Sequence, residues 1–379
     1  MPPNDSAPIA TAPEAGGPCI LAIESSCDET AAAVLDGTRS LRSNAVHSQI
    51  DIHAEFGGVV PELASRSHIL MIDRVVARAL REANITLDDI RGVAVTQGPG
   101  LMGSLLVGIE YARALAWARN LPLAPVHHLE GHLYAPFVGL AEGSAEPGWP
   151  FVALVVSGGH TALYHAKSPG VYEELGRTLD DAAGEAFDKV SKHVGLGYPG
   201  GAIIDKLSVQ GDAEVFAFPR PMMRSKDFHF SFSGIKTSVA HALEKEPTTP
   251  EGQRLNDLAA SFQRAVVEVL VHKTLRAADA VHVDRIVLSG GVASNKELRR
   301  TLQIEAAKEG KTVVLPPPAL CTDNAAMIGA AGYARLYQSI LANEGFAQPH
   351  LAARPSWPLG KRSPLQKPRQ RGVRRGPKS

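Results

Sequence analysis

Short apolar runs alternate with turns of small or glycine residues along this chain, a pattern that predicts buried strands. Residues 19–35 and 151–164 each contain an apolar run, a tight turn and a second apolar run, which is typical of a hairpin. Residues 92–96 and 285–289 are apolar runs that lead into glycine turns and then into amphipathic helices. The same order in each half of the chain indicates an internal duplication.

This duplication predicts an α/β fold with two lobes around a cleft, as in the actin/Hsp70/sugar-kinase (ASKHA) class. In such a fold the glycine turns direct backbone N–H groups into the cleft, where nucleotide phosphates bind. We expect residues 19–127 to form lobe I and residues 128–323 to form lobe II, with a helix at 324–345 returning to lobe I.

Apolar residues at helical spacing predict packing helices at residues 67–83 and 255–278. The predicted buried stripes are Ile69, Ile72, Val76 and Leu80 in the first helix, and Leu258, Phe262, Val266 and Leu270 in the second. A further helix rich in small residues begins near residue 323, and Thr322 or Asp323 is its expected N-cap.

The composition is that of a soluble globular protein, but the charge is unevenly distributed. The 379 residues are 44% hydrophobic and carry 39 basic and 39 acidic side chains. Residues 361–379 hold eight of the basic residues and no acidic one, which leaves residues 1–360 with a net charge of −8. This Pro-rich tail is expected to be disordered, either as a contact for a phosphate backbone or as a solubilising extension.

The cysteines and the N-terminus bear on the location of the protein. Cys19, Cys27 and Cys321 are too few and too scattered for a disulfide framework, so a reducing compartment is expected. No apolar run is long enough for a membrane span. Residues 1–18 resemble neither a secretory signal nor a transit peptide and are expected to be a disordered extension. These features favour the cytoplasm.

A possible metal site lies in residues 128–132, where His128 and His132 are four residues apart. On a helix this spacing places both imidazoles on one face, with Glu130 turned away from it. Imidazole suits Zn or Fe, and a reactive site needs a further ligand such as a carboxylate. Such a pair is also common on helices without a ligand. Asp323 is the best candidate for the carboxylate, although without the fold argument a plain helix cap is the more common reason for an aspartate there.

A set of motifs, in order from about Cys19 to about Leu359, resembles the TsaD/Gcp/YgjD family. The motifs are residues 24–30 (ESSCDET), 57–66 (GGVVPELASR), 97–100 (QGPG), 128–132 (HLEGH), 157–161 (SGGHT), 180–189 (DDAAGEAFDK), 198–201 (YPGG), 230–237 (FSFSGIKT), 289–295 (SGGVASN) and 321–324 (CTDN).

The resemblance implies a tRNA N6-adenosine threonylcarbamoyltransferase. Such enzymes move threonylcarbamoyl from threonylcarbamoyl-AMP to N6 of adenine 37 in tRNAs that read codons beginning with A. The resemblance implies one Fe²⁺ or Zn²⁺ ion held by His128, His132 and Asp323. It also implies a donor site formed by Val155, Val156, Ser157, Gly158, Gly159, Asp188, Gly201, Asp205 and Asn295.

The proton acceptor and the partners are less defined. Asp28, Glu29 or a donor phosphate oxygen could accept the proton from N6. The resemblance implies the tRNA anticodon loop and the proteins TsaB and TsaE as partners, and no membrane. Three alternatives remain: an ATPase or sugar kinase of the same fold, a metalloprotease as an older family name suggests, and a non-enzymatic nucleotide-binding scaffold.

Overall fold

Two mixed β-sheets form the framework of the protein. The computed structural model describes residues 13, 15–139, 148–245, 249–347 and 351–366. The first sheet has the order β3-β2-β1-β4-β5. Its strands are β1 (Ile20–Glu24), β2 (Glu29–Leu35), β3 (Leu41–Ser48), β4 (Gly92–Gly98) and β5 (Leu123–His127). β2 pairs antiparallel with both β1 and β3, whereas β4 pairs parallel with both β1 and β5.

The second sheet repeats this arrangement. Its order is β10-β9-β6-β7-β8-β11, in which β6 to β10 correspond to β1 to β5 with the same strand directions. The strands are β6 (Phe151–Val156), β7 (Thr161–Ser168), β8 (Val171–Arg177), β9 (Arg285–Ser289), β10 (Thr312–Val314) and β11 (Lys361–Arg362). Both halves thus share the topology that the duplicated hairpins and glycine turns predict.

Helices cover both faces of the sheets. They are α1 (Ile50–Ala54), α2 (Pro61–Glu82), α3 (Met102–Arg119), α4 (His128–Tyr134), α5 (Ala183–His193), α6 (Gly200–Ser208), α7 (Ser233–Leu243), α8 (Gly252–Ala280), α9 (Lys296–Lys308) and α10 (Ala325–Leu341). None of these described helices combines the length and the apolar character that a membrane span requires.

Alternation along β1 explains why the first sheet is covered on both faces. Leu21 and Ile23 belong to the hydrophobic core that includes α2 and α3, whereas Ile20 and Ala22 belong to the core that includes α10. Successive side chains of a strand point to opposite faces, so a continuous apolar strand needs a layer on each side. α10 therefore packs on the first sheet. The lobe boundaries 19–127 and 128–323 stay a prediction.

The predicted helices occur, but one residue predicted to be buried is exposed and one predicted N-cap is wrong. All four predicted residues of α8 are buried, but Ile69 of α2 is 64% exposed and His68 is buried in its place. The N-cap of α10 is neither Thr322 nor Asp323. Asn324 takes this role, since its side-chain oxygen accepts a hydrogen bond of 3.0 Å from the backbone N–H of Met327.

Both predicted disordered termini are partly ordered at their inner ends. The backbone N–H of Gly17 donates to the carbonyl of Asp36, and the Tyr333 hydroxyl donates to the carbonyl of Pro18. At the other end, disorder from residue 361 onward is wrong, because β11 pairs in parallel with β8 along the sheet edge. This pairing satisfies backbone N–H and C=O groups of the two strands. The composition of the tail alone does not reveal such a pairing. Residues 1–12, 14 and 367–379 lie outside the described residues.

Residues 351–366, which we call the C-terminal strap, contact both halves of the protein. Leu351 is buried in the core of the first sheet, and Leu359 is buried in a core with β6 and α4. Between them, the Trp357 carbonyl lies 2.9 Å from Nε2 of His127, the residue that precedes α4. The strap therefore runs from the first sheet, past the start of α4, to the edge of the second.

Candidate metal centre

The short helix α4 brings two histidines together. His127 is its N-cap, and Nδ1 of His127 accepts a hydrogen bond of 3.1 Å from the backbone N–H of Leu129. Since the helix begins at His128, the imidazoles of His128 and His132 lie on one face, with ring centroids 4.8 Å apart. Both residues are buried.

Asp323 completes a cluster with these two histidines. Its Oδ1 atom lies 3.5 Å from Nε2 of His128 and 3.1 Å from Nε2 of His132. Because Asn324 caps α10, the Asp323 carboxylate is not needed by the helix terminus and faces α4. One ligand atom from each of the three residues lies within 4.8 Å of the others. The sequence predicts this grouping.

The donor atoms of the cluster fit a metal ion. His132 is fully buried, and neither of its ring nitrogens forms a hydrogen bond within the described part of the chain, although Nε2 lies 3.1 Å from Asp323 Oδ1. A buried polar atom left without a partner costs about 1–3 kcal/mol, so a ligand at His132 is favoured. Two imidazoles and one carboxylate are the donor set of non-haem Fe(II) sites and of catalytic Zn sites.

Sequence reasoning missed Glu24, which contacts His128 from the other side of the ring. The Glu24 side chain is fully buried, and its Oε2 atom lies 3.2 Å from Nδ1 of His128. An acidic residue at the end of an apolar run was the available signal. Burial alone would lower the pKa of His128, but Asp323 and Glu24 together raise it to about 9. Burial opposes ionisation of Glu24, yet His128 holds its pKa below the ordinary value.

Asp28 and Glu29, the candidate proton acceptors, lie where β2 begins. Asp28 is buried, and Glu29 accepts a hydrogen bond of 3.4 Å from the Ser48 hydroxyl. Burial, the Asp28 charge and the Asp323 charge raise the pKa of Glu29 well above its ordinary value. Because the Asp323 charge acts on it, Glu29 belongs to the same electrostatic environment as the histidine cluster.

The turn after β6 leaves open space beside its backbone. Val155 and Val156 end the strand and are fully buried, and Ser157 begins the turn. A Cβ atom on Gly158 or Gly159 would meet no atom within 4 Å. The turn after β9 lies close to the end of β6. Gly290 has φ +96°, and a Cβ there would lie 2.3 Å from the Val156 carbonyl oxygen. Only glycine fits that position.

The remaining predicted donor residues have contacts within the protein. Asp188 on α5 accepts a hydrogen bond of 2.7 Å from the Gly200 N–H, next to Gly201 at the start of α6. Burial raises the pKa of Asp188 and of Asp205.

Asp205 on α6 connects this group to the start of α9. Its Oδ1 atom accepts a hydrogen bond of 3.2 Å from the Lys296 N–H. Asn295 caps α9 by accepting from Leu298 N–H at 2.9 Å and donates to Gln263 at 2.6 Å. Each side chain thus has a structural role, and each carboxylate or amide retains further hydrogen-bonding capacity.

Comparison with known sequences decides the family. The model of the family described as "TsaD: tRNA N6-adenosine threonylcarbamoyltransferase" matches residues 40–330. The chain belongs to this family. It is 53% identical over 340 residues to the enzyme of that name from Syntrophotalea carbinolica, covering 90% of this chain and 96% of the relative. The relative of the same name from Geotalea uraniireducens is 54% identical with the same coverage, and the one from Geobacter sulfurreducens is 52% identical, covering 90% and 97%.

Comparison with solved structures bears on the fold alone. HypF in its phosphate- and nucleotide-bound form has a TM-score of 0.54 at 15% identity, covering 89% of this chain and 57% of HypF. HypF from T. kodakarensis has a TM-score of 0.56 at 14% identity, covering 86% and 49%. Component A of (R)-2-hydroxyglutaryl-CoA dehydratase from Acidaminococcus fermentans has a TM-score of 0.50 at 15% identity, covering 85% and 99%. These neighbours confirm the predicted ASKHA-type fold.

The family also bears on the alternatives. The predicted transferase family is confirmed, and the kinase, protease and scaffold interpretations are not favoured. The TsaD family together with the His128, His132 and Asp323 cluster indicates a metal-binding protein.

Proposed function

We propose that this chain transfers threonylcarbamoyl from threonylcarbamoyl-AMP to N6 of adenosine 37 in tRNAs that read ANN codons, and releases AMP. The observation that carries this proposal is the convergence of His128, His132 and Asp323 in a chain of the TsaD family. The two histidines lie on α4, and Asp323 comes from a segment far away in the sequence. An aspartate that only caps a helix, or a histidine that only packs in the core, does not require this contact.

The ion is proposed to be Fe²⁺, with Zn²⁺ as the alternative, held by the two imidazoles and the Asp323 carboxylate. The buried ring of His132 supports a ligand at this point, since neither of its nitrogens forms a hydrogen bond within the described residues. When bound, the ion would act as a Lewis acid toward the carbamoyl carbonyl or a donor phosphate oxygen.

The donor is proposed to bind along the turns that follow β6 and β9. The backbone N–H groups of Gly158, Gly159 and Gly291 would hold the phosphate, because the space beside these glycines is open. Ser157 would hold the shape of the turn, since its backbone N–H donates to the His160 carbonyl at 2.7 Å. Val155 and Val156 would support this turn from within the sheet. Asp188 and Asn295 would bind the nucleoside, with Gly201 and Asp205 forming the adjoining wall between α5 and α9.

Glu29 is proposed to accept the proton that N6 loses. As the nitrogen forms its bond to the carbamoyl carbon, the bond from that carbon to the phosphate oxygen breaks, and AMP leaves with the electron pair. A carboxylate with a raised pKa is a stronger base than an ordinary one, and burial beside Asp28 raises the pKa of Glu29. Asp28 would keep the pKa of Glu29 raised through its neighbouring negative charge. A phosphate oxygen of the donor is the competing acceptor.

The tRNA substrate and the protein partners extend this proposal. Adenosine 37 lies in an unpaired loop, so its base can enter the cleft without breaking a base pair. TsaB and TsaE are the proposed protein partners, acting in the cytoplasm. An apolar surface on α2 and α3 supports a protein partner, since Ile69, Leu70, Met102 and Leu106 are between 42% and 71% exposed.

Single-turnover transfer tests the proposal. Labelled threonylcarbamoyl-AMP is mixed with an anticodon stem-loop containing adenosine 37, in the presence of TsaB and TsaE. The wild-type protein should label the stem-loop, whereas His128→Ala and Asp323→Ala should not, although both variants should still bind the AMP donor. A stem-loop with guanosine at position 37 is the matched RNA control. Equal labelling by all three proteins would contradict a metal-dependent transfer.

A further inference from the structure

Glu24 is a fully buried carboxylate that the proposed reaction does not use. It ends β1 in the centre of the first sheet, and three donors surround it. Oε1 accepts a hydrogen bond of 2.5 Å from the Ser26 backbone N–H, and Oε2 accepts one of 2.5 Å from the Thr96 hydroxyl. The third contact is to Nδ1 of His128 at 3.2 Å. A buried carboxylate with this many specific contacts is expected to have a function beyond packing.

The chemistry of the carboxylate determines the tautomer of His128. An ionised carboxylate only accepts hydrogen bonds, so Nδ1 of His128 must carry the proton that lies between them. In the neutral ring, Nε2 is then the nitrogen with the free lone pair, and it is the atom that faces Asp323. The Ser26 hydroxyl lies 3.1 Å from the same Nδ1 atom and can accept from it as well.

We propose that Glu24 is a positioning residue, which holds His128 in the Nδ1–H tautomer and so presents Nε2 to a divalent metal ion. The inference rests on the proposed metal site of His128, His132 and Asp323. Carboxylates that bind the distal nitrogen of a ligating histidine fix its orientation and raise its basicity, and their loss weakens metal binding by about 10–100-fold.

The geometry also explains why glutamine cannot replace Glu24. The Ser26 backbone N–H is a fixed donor, so the carbonyl oxygen of a glutamine must face it. The glutamine NH₂ group would then face Thr96 and His128. The threonine hydroxyl can rotate to accept, but the imidazole can accept at Nδ1 only by moving its proton to Nε2. Glu24→Gln therefore favours the tautomer in which Nε2 is blocked.

His132 shows the contrast. Its Nδ1 atom has no hydrogen-bond partner among the residues that the structure describes, and the carboxylate beside its ring is that of Asp323, 3.1 Å from Nε2. Of the two imidazoles, that of His128 alone has a carboxylate at Nδ1 within the described part of the chain. We therefore expect the effect of Glu24→Gln to be confined to one histidine.

Two measurements on the full chain test this inference. Zn²⁺ affinity is measured by competition with a chromophoric chelator. The tautomer of each histidine is read from ¹⁵N chemical shifts of metal-free protein labelled at histidine, at about pH 10, where His128 with its pKa of about 9 is neutral. Glu24→Gln should bind Zn²⁺ about 10–100-fold more weakly and should move the His128 proton from Nδ1 to Nε2. Ser26→Ala is the matched control. It removes the second acceptor at Nδ1 but keeps the backbone donor to Glu24, so both readouts should match the wild type.

The outcomes separate this inference from the proposed metal site. Asp323→Ala should lose Zn²⁺ binding if the site is correct, and a wild-type protein that does not bind Zn²⁺ overturns the site itself. If the wild type binds and Glu24→Gln binds equally well with an unchanged tautomer, the role of Glu24 is overturned. If Glu24→Gln does not fold, Thr96→Val and Glu24→Asp replace it. Thr96→Val should keep the Nδ1–H tautomer, and Glu24→Asp should keep it with weakened binding. An Nε2–H tautomer in either variant, or in the wild type, overturns the inference.

Discussion

Arg335 donates from one nitrogen, Nη2, to both carboxylate oxygens of Glu130, at 3.0 Å each. Glu130 lies on α4 between His128 and His132 in sequence but faces away from them, and it is only 3% exposed. The Tyr172 hydroxyl donates to the same carboxylate at 2.9 Å. Glu130 therefore connects α4 to α10 on the first sheet and to β8 of the second. The helix that carries His128 and His132 is held from both sides.

We expect Arg335→Met to destabilise the protein by about 1–3 kcal/mol, the cost of leaving a buried charged group without its partner. Among the residues that the structure describes, Glu130 would keep only the Tyr172 hydroxyl as a donor, and methionine cannot supply the missing one. Because Arg335 is 41% exposed, water replaces part of the lost interaction, so a larger cost is not expected. Urea unfolding monitored by circular dichroism measures the change.

Arg78→Met is the matched control for this prediction. Arg78 pairs with Glu82 across one turn of α2, and both side chains are well exposed. Exposed pairs of this kind contribute at most about 0.5 kcal/mol. Equal losses of stability in the two variants would contradict a special role for the contact between Glu130 and Arg335.

The duplication could be predicted because its signals are local. Apolar runs at residues 19–35 and 151–164 contain turns typical of a hairpin, and glycine turns after residues 96 and 289 lead into helices, in the same order in each half. Once two halves with the same order are recognised, the topology of one sheet predicts that of the other. The structure has the same order in both.

The environment of the metal site could not be predicted in the same way. Thr322, Asp323 and Asn324 are all good N-cap residues, and only the tertiary contact of Asp323 with α4 explains why Asn324 takes the cap. The role of Glu24 likewise depends on its contact with His128, a residue that is distant in sequence. Lys361 is ordered because it pairs with the free edge of β8, and the composition of the tail cannot reveal that edge.

Metal removal should lower stability in the wild-type protein but not in His132→Ala. An ion that binds only the folded protein raises the free energy of unfolding by about 2.7 kcal/mol when its concentration is 100 times the dissociation constant. We expect this gain when Zn²⁺ is added to chelator-treated wild type, measured by urea unfolding. His229→Ala should retain the gain, because His229 lies outside the cluster. A full gain in His132→Ala would show that Zn²⁺ stabilises the fold elsewhere.

Stability should depend on pH through Lys273. Its side chain is fully buried, and its Nζ atom donates to the Ser225 hydroxyl at 2.8 Å. Burial lowers the pKa of Lys273 to about 8, and Arg276 adds to this effect although Asp227 opposes it. A free lysine has a pKa of about 10.4, so the unfolded chain binds more protons than the folded one between these values. The contribution of Lys273 to the free energy of unfolding therefore rises with pH from about 8 to about 10.

Lys273→Met isolates this contribution. The difference in unfolding free energy, wild type minus variant, should be constant below about pH 7.5 and should increase in favour of the wild type as the pH rises toward 10. Urea titrations at several pH values measure it. Lys308→Met serves as control, since the Lys308 side chain is 64% exposed. A difference between wild type and Lys273→Met that does not change with pH would contradict the lowered pKa.

The C-terminal strap should contribute to stability through Leu359. This side chain is 5% exposed and packs in the core that includes β6 and α4, whereas Leu365 in the same strap is 44% exposed. Truncating a buried leucine to alanine costs about 2–5 kcal/mol, because it removes apolar contacts and leaves a cavity. Leu359→Ala should therefore lose this amount in urea unfolding, and Leu365→Ala should stay within about 0.5 kcal/mol of the wild type. If both substitutions were neutral, the strap would not be held by this core, and the contact of Trp357 with His127 would be left to fix it beside α4.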